Sequence, residues 1–305
     1  MTIQKGSDIL AADLLALENR ALTTLGTGSN TFGYGQIFNP ISRQGQDINI
    51  DHLNALRTML NNARMHQLGD DVGFGATLPV PARMSDITAS LVSIYQSAIT
   101  TIENNRMAYG AASMSVTGRL ATLTRSQRWG PAQTIIGGMD CRWETDDEAR
   151  WFFNSGGELR LNFGHPSTGT RQDRAWNRTL SRIGTIRFRA QSTIADANQV
   201  GAPVGSAGYY TISGQTAIYN GQGIDDTFDY LDARYTPPNK YQYKDSVFIW
   251  ALRITGGVRF LVEMRETNNE INNLGTFAGF SAMYATRYLR NRLIRLPGFY
   301  LYQPL

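Results

Sequence analysis

Near Thr134 the spacing of apolar residues changes from a helical period of about 3.6 to the two-residue period of a strand, and this change decides the fold class. Before it, three segments read as amphipathic helices. Ile9 to Arg20 is the first and closes near Gly26. The second, His52 to Leu68, puts Leu53, Leu56, Leu60 and Ala63 on one face and stops at Gly69. The third, Met84 to Met107, carries Ile87, Leu91, Ile94, Tyr95, Ala98, Ile99 and Ile102 on one face, with Ser85 as its expected N-cap. An Asp-Ile pair introduces each segment, at Asp8, Asp47 and Asp86, a spacing of 39 residues twice. Such an interval suits a repeated helical unit, and chance suits it equally.

After Thr134 the alternation is regular. Met139, Cys141 and Trp143 alternate with Asp140, Arg142 and Glu144. Leu159, Leu161 and Phe163 alternate with Glu158, Arg160 and Asn162. Ile186 and Phe188 alternate with Arg187 and Arg189, and Val258 to Met264 repeats the pattern. Strands with one apolar and one charged side belong to antiparallel sheets with one covered face. Gly256-Gly257 marks a hairpin between Asp245–Ile254 and Val258–Thr267. Two short helices interrupt the strands, Asp146–Asn154 and Gln172–Ile183. Ser192 to Lys244 reads as loops and short strands, and the chain ends in an irregular aromatic tail. The expectation is an α+β chain: a helical module over residues 1–115, then an antiparallel β-sandwich-like domain over 116–305 with inserted short helices and Tyr-rich loops.

Several functions are argued against by what is missing. The single cysteine, Cys141, rules out an internal disulfide framework and a multi-cysteine zinc site. No stretch reaches the ~18 apolar residues of a membrane span, and the N-terminus lacks a signal core, so synthesis in the cytoplasm is expected. His52 and His66 lie too far apart on one helix to share a metal, and His165 stands alone in Gly164-His165-Pro166. The paired carboxylates Asp146-Asp147 and Asp225-Asp226 read as a helix start and a turn. No P-loop or nucleophile elbow is present. No catalytic residue, metal ligand or cofactor is therefore expected.

Four positive features remain. Lysine occurs only at Lys5, Lys240 and Lys244, against twenty-six arginines, within a net charge of +4. Arginine suits ordered planar contacts, although genomic base composition yields the same bias. Arg174, Arg178 and Arg182 recur every four residues along one expected helix, with Arg171 before them and Arg187 and Arg189 on the next strand. This stripe fits a protein interface, or a solvated face balanced by Glu148, Glu158 and Asp173. The charge is too mild, and the surroundings too plain, for a nucleic-acid site. Tyr209, Tyr210 and Tyr219 lead a tyrosine-rich stretch that fits glycan stacking, a protein interface or packing under loops. Trp151, Phe152 and Phe153 stand directly before Asn154-Ser155-Gly156-Gly157. Three consecutive helical positions cannot face one way, so one aromatic, Trp151 foremost, is expected against the helical module or a neighbouring subunit.

The stretch "DDEARWFFNSGGELRLNF", followed by a tryptophan-bearing helix and "IGTIRFRA", resembles a recurrent module of tailed-bacteriophage virion structural proteins. "GYGQ" at Gly33–Gln36 ahead of "LNALRTMLNNARMHQLG" at Leu53–Gly69 is similar to the same group, with Leu53 near where its members often carry tryptophan. The resemblance implies a non-enzymatic neck, collar, tail or fibre-attachment component of a virion, made in the host cytoplasm. It also implies partners that are further copies of itself and other virion neck and tail proteins, with no direct nucleic acid and no membrane. A host-surface glycan is the alternative ligand.

Overall fold

The protein is described by a computed structural model over residues 11–37, 50–68, 78–79, 88–108, 114–115, 121–124, 134–164, 180–196, 202–225, 244–265, 277–285 and 295–302. Its elements, in chain order, are helices α1 (Ala11–Leu25), α2 (Ile50–Leu68) and α3 (Ala89–Asn104), then strands β1 (Met114–Ser115), β2 (Ala121–Thr124) and β3 (Thr134–Arg142). Helix α4 (Asp146–Asn154) follows, then β4 (Glu158–Gly164), β5 (Ile186–Phe188), β6 (Thr193–Ala195) and β7 (Ala202–Pro203). The chain continues through β8 (Thr216–Asp225), β9 (Lys244–Ile254), β10 (Gly257–Arg265), β11 (Phe277–Ala285) and β12 (Gly298–Tyr302). The class is α+β, with N-terminal helices followed by antiparallel sheets.

Two units divide the chain. The first comprises Met1–Thr117, Asp146–Gly157 and Met283–Arg295; the second comprises Gly118–Thr145, Glu158–Ala282 and Leu296–Leu305. Residues 146–157 and 283–295 thus group with the N-terminal helices, although a single boundary near 115 would assign them to the β-domain.

In the first unit the periodic residues form the helical core. Leu53, Leu56, Leu60 and Ala63 of α2 are buried, as are Leu91, Tyr95, Ala98, Ile99 and Ile102 of α3. Ile94 departs from the expected face: it is 42% exposed, because Leu91, Tyr95 and Ala98 already define the buried stripe. The N-cap of α3 is Thr88, whose Oγ1 accepts from the Leu91 amide at 3.2 Å, so the helix begins three residues after the expected cap, Ser85. Arg20 of α1 grips Glu103 of α3 with Nε and Nη2 at 3.1 and 2.6 Å. The Asp-Ile signatures lie outside the described residues.

In the second unit one sheet has the order β12-β3-β10-β9-β8-β7, and every described pairing in it is antiparallel. Strands β9 and β10 form the expected hairpin about Gly256. The other sheet places β11, β4, β5 and β6 side by side, with β2 on β11. Phe188 of β5 meets Phe260 of β10 edge to face at 5.3 Å, and both rings are buried. The terminal segment is not the irregular tail its sequence suggests: Gly298–Tyr302 is a strand paired to β3, with Tyr300 opposite Asp140. Of the helix expected over Gln172–Ile183, residues 180–183 are described as helical, and the rest lies outside the described residues.

Candidate functional site

Sequence-distant pieces converge where α4 ends. Gly156, at φ 80°, reverses the chain. Its amide donates to the Phe153 carbonyl at 3.1 Å, and the Gly157 amide reaches back to the Phe152 carbonyl at 2.8 Å. These two bonds are a Schellman closure, which needs a left-handed residue at the first position past the cap. A methyl at Gly157 would stand 2.5 Å from the Phe152 carbonyl oxygen and 2.7 Å from its ring. Gly156→Ala is expected to cost about 1–2 kcal/mol from φ alone. Gly157→Ala should cost about 2–3 kcal/mol from overpacking. Urea midpoints measure both, and a Gly157→Ala variant as stable as wild type would show that the corner yields.

Helix α4 uses this corner to hold the loop after α1. Trp151 is 7% exposed, and its Nε1 donates to the Thr27 carbonyl at 2.8 Å. Arg150 Nη2 donates to the same oxygen at 2.9 Å, and Asn154 Nδ2 donates to the Gly33 carbonyl at 2.9 Å. The loop accepts the indole because Gly35, at φ 63°, offers bare backbone; a methyl there would lie 2.8 Å from the Trp151 ring. Tyr34, between the two glycines, is buried and accepts from Gln67 Nε2 at 2.8 Å, while the same Gln67 amide donates to the Ile102 carbonyl at 2.9 Å. Of the two settings open to Trp151, the helical module is the one it occupies. There it is an intramolecular anchor.

His66 completes the cluster. Its Nε2 lies 2.8 Å from the Ser155 carbonyl, and a carbonyl only accepts, so Nε2 carries the hydrogen. Nδ1 is buried with no hydrogen-bond partner among the described residues, and the Tyr34 ring stands edge-on at 5.5 Å. Burial pushes the imidazole down to about 4, outweighing the Ser155 bond that favours the charged form. The unfolded chain takes up this proton near pH 6.5 and the folded chain only near 4. Stability from this group is therefore complete above about 6.5 and is lost as pH falls towards 4. The loss should reach about 3 kcal/mol by linkage. Urea unfolding at pH 7.5 and pH 4 should show this loss in the wild type and a smaller one in His66→Gln; equal losses would sink the assignment.

The other residues singled out by sequence are arranged as follows. Arg171, Arg174 and Arg178 lie outside the described residues, and Arg182 is half-buried. Arg187 pairs with Asp196, and Arg189 Nε holds Glu158 at 3.0 Å. Arginine supplies the cation in ion pairs throughout the described residues, including Arg142 and Arg259 around the buried Asp140. Burial alone would raise the Asp140 carboxyl, but the bonds from Arg259 and Arg142 hold it below its ordinary value. Intramolecular forks thus account for much of the arginine preference.

The glycan assignment does not hold at Tyr209 and Tyr219. Tyr209 is fully buried under Arg253, whose guanidinium lies 4.5 Å from its ring centroid. Tyr219 is buried too, and burial pushes its hydroxyl up to about 12. A sugar needs an open ring face, and these rings have none. Tyr210 is half-buried, edge-on to Tyr209 at 5.1 Å.

Among the described residues, no three His, Cys, Asp or Glu side chains gather as a metal-sized set, and no helix is long and apolar enough to cross a membrane. Comparison with protein-family models, curated proteins and solved structures finds no match for this chain.

Proposed function

We propose that the chain is a structural component of a tailed-bacteriophage particle, assembling by protein–protein contacts at a neck, collar or tail-fibre attachment station and carrying out no reaction itself. One observation carries the reading. The segments that bear the resemblance, "GYGQ", the "HQ" end of α2 and "WFFNSGG", meet in one hydrogen-bonded cluster through Trp151–Thr27, Asn154–Gly33 and His66–Ser155. The donors of Trp151, Asn154 and His66 in that cluster are turned inward on backbone carbonyls, which suits a rigid building block. The test is mass spectrometry of purified particles from the phage that encodes the chain. The protein is expected in copy-number proportion to known tail and neck proteins and should resist a high-salt wash. Its absence from washed particles overturns the proposal.

A further inference from the structure

Sheet edges are open templates for another strand, and proteins usually blunt them by brevity, proline, charge or a cover. This chain blunts all but one of the described edges. β7 is two residues long and contains Pro203; β6 is three residues, β1 two, and β2, beside β11, four. β12 is the longest of these edge strands and lacks proline and charge, although β2 of the other sheet comes close to it. β12 supplies five residues, Gly298-Phe299-Tyr300-Leu301-Tyr302, and it ends its sheet with β3 as its one described hydrogen-bonded strand neighbour. Tyr300 is 58% exposed and Leu301 61%. Successive strand residues point to opposite faces, so both faces of β12 are open to solvent there.

We infer that β12 is a self-pairing edge, at which two copies of this chain join their β3–β12 sheets into one continuous antiparallel sheet about a two-fold axis. This deepens the assembly reading above and rests on it. The row of unpaired backbone donors and acceptors calls for an extended strand, and the missing charge favours this chain's own: a second β12 brings no like charges into opposition. A two-fold perpendicular to the sheet keeps each face on its own side, so each residue opposes one of its own parity. Full overlap of residues 298–302 then centres the axis on Tyr300. Tyr300 faces its own copy, Phe299 faces Leu301, and Gly298 faces position 302. Pro297 and Pro304 fall outside the paired run, where a missing amide costs nothing to the ladder. Such an isologous contact closes on itself as a dimer.

The register makes the test specific. Full-length protein is followed by sedimentation velocity, and a concentration-dependent dimer is expected. Tyr300→Lys with Leu301→Lys should give monomer at the same concentrations and an unchanged melting temperature, since both side chains are more than half exposed. Under mild oxidation Tyr300→Cys should cross-link to a dimer, its Cα atoms being about 4.5–5.5 Å apart. Leu301→Cys should cross-link at least tenfold more slowly, because in this register it lies diagonal to its copy at roughly 7–8 Å. The native Cys141 is buried and does not compete. A dimer that survives the two lysines overturns the edge and leaves the assembly reading standing. Equal cross-linking of both cysteine variants overturns the two-fold register. A wild type that stays monomeric, with no cross-link at position 300, overturns self-pairing altogether. Absence of the chain from washed particles would instead remove the virion reading, whatever β12 does.

Discussion

Trp151→Ala is expected to lower the unfolding free energy of the first unit by about 3–5 kcal/mol, as for other buried large aromatics cut back to alanine. The indole is nearly wholly enclosed and covers the bare backbone of Gly35. Nothing nearby is free to collapse into its place, because the loop is pinned by the Gly35 and Gln36 amides, which donate to the Gly26 and Leu25 carbonyls at 2.9 and 3.0 Å. The hydrogen-bond part of the loss is small: the Thr27 carbonyl keeps its bond from Arg150. Trp151→Phe, which retains most of the volume and gives up the N–H, should therefore cost much less, about 1 kcal/mol beyond the shape change. Gly35→Ala attacks the same contact from the other side, and in a Trp151→Ala background most of its clash has no partner. The double variant should be more stable than the summed single effects predict, by about 1 kcal/mol or more. Urea unfolding gives all four values, and hydrogen exchange over residues 27–36 locates them. Strict additivity, or an alanine variant within 1 kcal/mol of wild type, would show that the indole does not hold this loop.

The same contact shows where sequence reasoning reached and where it stopped. The helical faces around Leu53 and Leu91, the strands at Leu159 and Val258, and the glycine closure after α4 were all legible, because each depends on neighbours within about one turn or one strand. The partners Thr27 for Trp151 and Ser155 for His66 were not, being 124 and 89 residues away with no local trace. Tyr219 escaped for another reason. A register shift between Ala217 and Tyr219 places Ile218 and Tyr219 both in the core, so strand alternation no longer tells which of the two is inside. β12 carries no readable period because a strand of five residues is too short for one. Its aromatic and aliphatic composition, Phe299-Tyr300-Leu301-Tyr302, was the available cue.

Glu158→Ala is expected to cost the second unit about 3 kcal/mol, the lower part of the range for breaking a buried ion pair. The carboxylate is wholly buried at the start of β4. Oε1 accepts from Arg160 Nε at 2.5 Å and Oε2 from Arg189 Nε at 3.0 Å, so one anion holds two cations. Alanine removes the anion and leaves two guanidiniums facing one another with partial access to water. That access is why the cost falls short of a fully enclosed orphan charge, and why salt should matter: 1 M NaCl screens the remaining repulsion and should recover a measurable part of the deficit. Glu158→Gln keeps one acceptor and the side-chain volume, and about half the loss is expected. The variant also separates two roles for Arg189, which its sequence pattern marked for a protein interface or a solvated face. If Arg189 works only as a brace for Glu158, freeing it should destabilise the sheet and leave association with particle proteins unchanged at permissive temperature. Tighter association in Glu158→Ala would show that the guanidinium binds outward once released. An alanine variant within about 0.5 kcal/mol of wild type at low salt would remove the brace itself, since that is the scatter expected of an ordinary surface change.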